Sequence, residues 1–260
     1  MQDKTFLYLR NWFHQYVQGF YSTDEVLQFH VRLKEEHTLR VVEQAGFIAK
    51  HLSLAPEQLV LAEIAALLHD IGRFRQYQTY RTFNDAVSVN HAELGIEVLE
   101  QSDILTLAGL SVKQQEIVKK AVLYHNRRHL PLNMEEDCSL FAKITRDADK
   151  LDIFSMLVTA DRENKIPHSP ELKPADHYSL CIIEDILQGR LVKPEDIITS
   201  SDLMLFRLSW IVDINFTCSF QYIFEQQFIE KLMTTLPDTD DIKKVYRYVK
   251  QYAKQHSSAY

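Results

Sequence analysis

Five of the chain's eleven histidines keep company with three aspartates in a way that could do chemistry. His69 is followed directly by Asp70 at the end of the most apolar stretch of the chain, PEQLVLAEIAALLHDIGR. Burying an adjacent imidazole and carboxylate costs free energy unless both find partners. A divalent metal satisfies both, taking a neutral imidazole nitrogen and a carboxylate oxygen; a hydrogen-bonded helix end satisfies them too. His37 lies upstream inside a helical pattern, His91 opens another, and His125 sits late in a third with His129 expected one turn further on the same face. Asp149 stands in DADKLD, with Asp152 one turn on. Each of these residues alone reads equally as a satisfied core or surface group, and spacing alone does not bring them together.

The order His37, His69-Asp70, Asp149 resembles the HD-domain superfamily of metal-dependent phosphohydrolases. LLHDIGR at 67–73 is similar to that family's His-Asp helix end, HAELG at 91–95 to the His-bearing helix start of its two-metal members, YHN at 124–126 to their next His motif, and DADKLD at 147–152 to the closing Asp motif. The resemblance covers residues 30–160. It implies that His37, His69, Asp70 and Asp149 hold a first divalent ion, and that Asp70 bridges to a second held by His91 and His125. The ion would be Mn, Fe, Co, Ni, Mg or Zn. In a one-ion site, His91 and His125 would contact substrate phosphate instead. The implied activity is attack of a metal-bound hydroxide on phosphorus in a small phosphorylated substrate of nucleotide type, because a divalent ion acidifies bound water and polarises a phosphoryl oxygen.

Charge developing on the phosphoryl oxygens calls for cations beside the metal. Arg73 and Arg75 follow the His-Asp pair closely enough to be candidates, ahead of Arg81, Arg127 and Arg128. Many family members carry Lys where this chain has Arg73; the planar guanidinium fork suits phosphate as well. Asp70 and Arg73 are therefore the expected catalytic groups together with His129, a candidate to protonate a leaving group, and Asn126 is a candidate substrate contact. Asp152 reads as a residue supporting a ligand from behind. After His125 comes Asn126 rather than His-Glu, which departs from the cyclic-di-GMP-hydrolysing branch of the family and speaks against that substrate.

The elements that must position these residues are helices. Six glycines and seven prolines leave long uninterrupted stretches. Val26, Leu27, Val31, Leu33, Leu39, Val42, Phe47 and Ile48 repeat at three- and four-residue steps, with Asp24 as a cap. Pro56 suits a first helical turn and Gly72 a position just past a helix end; the stretch between is apolar nearly all round and so reads as a central buried helix. Further helices are expected from Ser88 or Asn90 through SVNHAELGIEVLEQ, through VKQQEIVKKAVLYHNRR up to Pro131, and through EEDCSLFAKITRDADKLDIFSMLVTA. No stretch alternates with period two, so the fold class is all-α; the resemblance implies that it is an HD-domain-like helical bundle.

Pro167, Pro170 and Pro174 mark the best linker candidate. We expect residues 1–165 to form the metal-binding domain and residues 166–260 a C-terminal helical extension packed on the same core. That extension would hold DHYSLCIIEDILQG, one long aromatic-rich helical segment from Asp202 to Met233, and DTDDIKKVYRYVKQYAKQ. Its aromatic residues suit a covering layer of core, a homodimer face or a lid. Tyr77, Tyr80 and Asn84, in the polar stretch QYQTYRTFNDAVSV, are candidate base or sugar contacts.

Bulk properties exclude several classes. A net charge of −7 speaks against bulk nucleic-acid binding, which needs a basic face, but not against a small anionic substrate. Three scattered cysteines form neither a disulfide framework nor a zinc ribbon. No stretch reaches the length of a membrane span, and the first residues lack the basic and apolar regions of a signal peptide; a cytoplasmic location is the expectation. There is no phosphate-binding glycine loop, no HExxH and no GxSxG. Two other functions remain open on the same residues. One is a di-iron oxygenase similar to myo-inositol oxygenase, which uses the same ligand order. The other is a metal-stiffened module that senses a ligand without turning it over.

Overall fold

The computed structural model describes residues 3–159, 172 and 177–257. Among them the chain is all-α, as expected, with helices α1 (Lys4–Gln18), α2 (Glu25–His51), α3 (Pro56–Leu68), α4 (Ile71–Tyr80), α5 (His91–Ser102), α6 (Ile104–Leu107), α7 (Val112–Tyr124), α8 (Glu136–Thr159), α9 (Leu180–Leu187), α10 (Ser200–Ser209), α11 (Thr217–Glu225), α12 (Phe228–Met233) and α13 (Asp240–Ser257). Contacts group the chain into two compact units, residues 1–149 and 150–260, and the division falls within α8. The proline-bearing stretch at 167–174 lies outside the described residues except for Leu172. No described helix is long and apolar enough to cross a membrane. None of the three cysteines forms a disulfide among the described residues.

In the first unit α3 is the central element. It packs against α1, α2 and α7. Leu61, Ala62, Ile64, Ala65, Ala66, Leu67 and Leu68 are all buried, so every face of its second half meets protein. The caps follow the residue chemistry. Asp24 accepts a hydrogen bond from the Leu27 amide, and Asn90 accepts from the amides of Ala92 and Glu93. Ser111 and Gln114 cap α7 reciprocally, which is a capping box.

Several boundaries differ from the sequence reading. α1 was not anticipated; its buried residues Phe6, Leu9, Phe13 and Val17 recur at three- and four-residue steps. The polar stretch that begins at Gln76, which offers no apolar periodicity, is helix up to Tyr80. Helix α7 stops at Tyr124, well before Pro131. His129 therefore stands on an exposed bend rather than one turn beyond His125 on a helix face. In the second unit the expected long segment is broken into α10, α11 and α12, with extended backbone at Ile214 and left-handed backbone at Gln227 (φ 54°) separating them.

The second unit has its own core. Phe154 packs against Trp210 and Phe228, with ring centroids 6.1 Å apart in both pairs. Ile242, Val245, Val249 and Ala253 form the buried stripe of α13. The buried Asp202 carboxylate joins the starts of α9 and α10 by accepting from the amides of Ser179, Ile198 and Thr199.

Gly72 is not a helix stop either. It lies in the first turn of α4, where a Cβ atom would stand 2.2 Å from the His91 carbonyl oxygen and 2.6 Å from the Gly95 nitrogen. Only a residue without a side chain lets α4 lie this close to the start of α5, and that contact fixes where His91 begins its helix. Both near atoms belong to backbone, so neither can rotate away. Gly72→Ala is therefore expected to lower stability by about 3 kcal/mol, at the upper end for overpacking, with a matching loss in the urea midpoint. An unchanged midpoint would show that α4 and α5 separate freely.

Candidate metal centre

Six of the expected residues meet in one cluster in the first unit. His37 projects from the middle of α2. His69 and Asp70 sit at the break between α3 and α4, where the backbone leaves the helical region at Asp70 (φ −105°, ψ 16°) and re-enters it at Ile71. His91 is the first residue of α5, and His125 is the residue just past α7. Asp149 comes from α8.

Asp70 occupies the N-cap position of α4, where aspartate usually bonds the first free amides, yet its side chain makes no capping bond. Forgoing a cap costs about 1 kcal/mol. Its two oxygens instead face two sets of partners. Oδ2 lies 3.7 Å from His37 Nε2, 3.6 Å from His69 Nε2 and 2.7 Å from Lys34 Nζ. Oδ1 lies 3.3 Å from His91 Nε2, 3.6 Å from His125 Nε2 and 3.4 Å from Arg73 Nε. The Asp149 carboxylate joins the first set, with Oδ1 3.2 Å from His37 Nε2 and 3.8 Å from His69 Nε2. Its side chain is 19% exposed while those of the four histidines are at most 2% exposed, so the cluster opens to solvent on the Asp149 side.

Three subsets of these residues bring one ligand atom each within 4.8 Å of one another: His37, His69 and Asp70; Asp70, His91 and His125; and His69, His125 and Asp149. Their protonation suits a cation. Burial pushes His69 down to about 4 and His91 down to about 3, against the weaker opposing pull of the nearby carboxylates, so both rings are neutral at pH 7. Burial alone would raise Asp70, but Lys34, and after it His69, His125 and Arg73, hold its carboxyl well below the usual range. Burial likewise opposes ionisation of Asp149, and His37 and His69 overcome it.

Hydrogen bonding behind the rings aims them. His69 Nδ1 donates to the Ala66 carbonyl at 2.6 Å and His125 Nδ1 to the Val122 carbonyl at 2.7 Å. A carbonyl oxygen only accepts, so a neutral ring in either position carries its proton on Nδ1 and presents the Nε2 lone pair to the cluster. His69 Nε2 is buried and has no hydrogen-bond partner among the described residues. His91 Nε2 faces His125 Nε2 at 2.9 Å. With the His91 proton on Nδ1, two lone pairs would face each other here and repel unless an electrophile lay against both. A divalent ion fits these residues: it would relieve that contact and give the His69 nitrogen a partner.

The other expected residues fall around this cluster. Arg73 Nη1 donates to Gln76 Oε1, to the Phe83 carbonyl and to Asp85 Oδ1, which leaves the guanidinium between the cluster and the 81–90 loop. Asn126 Nδ2 lies 3.3 Å from Asp85 Oδ2 and 3.2 Å from Asn90 Oδ1. Arg75 points elsewhere, donating from Nη1 and Nη2 to Gln101 Oε1. His129 is exposed, and Asp152 is buried. Arg81 pairs with Asp24, and Arg127 pairs with Glu93. Tyr77 is buried and stacks on His30, with centroids 4.2 Å apart, while Asn84 caps a short 3-10 turn at Asp85–Val87. Tyr80 is exposed.

Three residues that matter to the site escaped sequence reasoning. Lys34 touches Asp70, and its place one turn before His37 on α2 was an available signal. Asp85 touches His91 from a polar loop that carries no periodicity. Arg146, 3% exposed, donates from Nη1 to the carbonyls of Tyr124, His125 and Arg127, the open end of α7; it stands one turn before Asp149.

The HD domain family model matches residues 35–153. The chain carries an HD domain. The matched stretch runs from just before His37 to just past Asp149, so all six clustered residues belong to the HD domain. No curated protein and no solved structure matches the chain. HD domains are all-helical and bind divalent metals, and in this one the His and Asp side chains are grouped so that they could hold such an ion.

Arg146 gives the site a testable support. Hydrogen bonds from a charged donor contribute about 1.5–3 kcal/mol, and here one guanidinium reaches the carbonyls of Tyr124, His125 and Arg127. Arg146→Ala is expected to destabilise the protein by about 3 kcal/mol in urea unfolding. A change below about 0.5 kcal/mol, the range of ordinary surface substitutions, would mean that water replaces the guanidinium at no cost.

Proposed function

We propose that this HD domain is a two-metal phosphohydrolase acting on a small phosphorylated substrate, with a nucleotide as the favoured class. The observation that carries the reading is the division of labour at Asp70. One carboxylate oxygen faces His37 and His69, and the other faces His91 and His125. In this reading His37, His69, Asp70 and Asp149 hold one ion, and Asp70, His91 and His125 hold the other. A bound divalent ion supplies acidified water and polarisation of a phosphoryl oxygen.

The chain's own residues do the rest. Lys34, whose side chain is 17% exposed, and Arg73, at 15%, stand on opposite sides of Asp70. They are placed to balance negative charge gathered at the cluster when a phosphate enters. Lys34 also lies 5.4 Å from the centroid of the Phe83 ring, and the Arg73 guanidinium lies 5.7 Å from it. Phe83 thereby holds both cations at the cluster edge. Asn126, beside Asp85, is assigned to substrate contact. His129 and Arg75 enter only as outer groups for the leaving portion of the substrate. The net charge of −7 fits a substrate that needs a few local cations rather than a basic face.

The test is metal content per chain on protein purified without chelator, followed by phosphate release from a panel of nucleotides with added Mn²⁺, Co²⁺, Ni²⁺ or Mg²⁺. The expected result is two ions per chain and metal-stimulated phosphate release. Asp70→Ala is expected to lose both ions and activity while keeping its helical circular dichroism; His91→Ala and His125→Ala each drop the count from two to one. Stoichiometric metal retained in Asp70→Ala would remove the site. Stoichiometric iron with oxygen consumption and no phosphate release would transfer the same residues to oxygenase chemistry. A wild-type protein without metal or metal-stimulated activity would leave the cluster structural.

A further inference from the structure

His91 differs from its neighbours in what holds it from behind. His69 and His125 give their Nδ1 protons to carbonyls of their own helices, three residues back. His91 is the first residue of α5 and has no preceding helical turn to supply such a carbonyl. Its Nδ1 lies 2.6 Å from Asp85 Oδ2 instead, a carboxylate six residues earlier in the loop. The other oxygen of Asp85 accepts from Arg73 Nη1 at 2.9 Å and from Gln76 Nε2 at 2.8 Å. Gln76 is fully buried, and it also donates to Ser88 Oγ and the Val89 carbonyl, so the loop carrying Asp85 is bonded to α4 at several points. Asp85 is thus held in place by α4 and in turn holds the ring of His91.

We infer that Asp85 is a positioning residue that fixes His91 in the Nδ1–H tautomer, and that this makes His91 Nε2 a ligand for the second of two ions. The inference rests on the two-ion reading of the cluster. A carboxylate can only accept from Nδ1, so the remaining lone pair is forced to Nε2, the atom 3.3 Å from Asp70 Oδ1 and 2.9 Å from His125 Nε2. An asparagine at position 85 could present its amide NH₂ to the same nitrogen. That would reverse the direction of the hydrogen bond, place the ring proton on Nε2 and cap the ligand atom with hydrogen. The change keeps size and shape but also removes the charge that pairs with Arg73 and the acceptor that Asn126 Nδ2 reaches at 3.3 Å, so the ring tautomer has to be read directly. Outer partners of this kind contribute about 10–100-fold in metal affinity.

Two measurements test this. Nitrogen-15 NMR of the histidine rings in metal-free protein reads the tautomer directly, with assignment by the spectrum lost in His91→Ala. Wild type is expected to show His91 protonated on Nδ1, and Asp85→Asn to move the proton to Nε2. A wild-type His91 protonated on Nε2 overturns the inference whether or not the variant folds. Titration with Mn²⁺ or Co²⁺ then reads the ions separately. Asp85→Asn is expected to weaken the second equivalent about 10–100-fold and leave the first unchanged. Asp85→Glu, which keeps an acceptor, is expected to recover part of that loss, whereas a purely structural role for Asp85 would weaken both equivalents together. Two equivalents of wild-type affinity in Asp85→Asn would remove Asp85 from the metal site and leave the two-ion reading intact. A single equivalent in wild type would remove the two-ion reading itself, and the inference with it.

Discussion

A single buried carboxylate sets the terms for the rest of the first unit. The Asp70 side chain is 3% exposed, and dehydrating a charge to that degree costs several kcal/mol unless opposite charge and hydrogen bonds surround it. Lys34 and Arg73 supply charge from either side, and four imidazoles close the shell. These groups come from five elements, Lys34 and His37 sharing α2, so the carboxylate can be buried only if α2, α3, α4, α5 and the end of α7 all reach it. The break between α3 and α4 is the local consequence. Its backbone turns so that Asp70 faces the histidines instead of capping the helix that it precedes.

Helix ends do much of the positioning. His69 follows α3, His91 begins α5 and His125 follows α7, and the backbone groups left free at such ends must be satisfied by something. At α5 the answer is Asn90; at α7 it is Arg146, reaching across from α8. The residue that satisfies the end of α7 and the clustered carboxylate on α8 are one turn apart, Arg146 and Asp149. One helix therefore carries both a member of the cluster and the support of another member. Close approach does the remaining positioning: without a side chain at Gly72, α4 can rest on the first turn of α5.

Much of this was legible before any coordinates. Helices α2, α3, α5 and α8 show in apolar periodicity and in the capping residues Asp24, Pro56 and Asn90, because those signals are local. The six clustered residues were found by motif order, since periodicity does not report which helices meet. What stayed hidden depends on tertiary contact. Asp85 lies in a polar loop whose only distinguishing feature is what it touches. Arg73, expected to serve a phosphate, has its guanidinium bound by Asp85, Gln76 and the Phe83 carbonyl. Gly72 was read as a helix stop because glycine is common there, whereas the need for it comes from a second helix 19 residues further along, at His91. The breaks at Ile214 and Gln227 carry no proline or glycine to announce them.

The two halves of the cluster are built on supports of unequal firmness. His37 lies mid-helix and His69 is flanked by α3 and α4, so displacing either means unwinding the centre of the unit. His91 and His125 sit at terminal turns, and the loop that orients His91 is partly exposed. Helix termini fray at lower free energy than helix interiors. Amide exchange at the start of α5 and the end of α7 would then run ahead of exchange in α3. One half of the cluster can loosen while the other keeps its framework, which gives the buried His91–His125 side a route to solvent in addition to the opening beside Asp149.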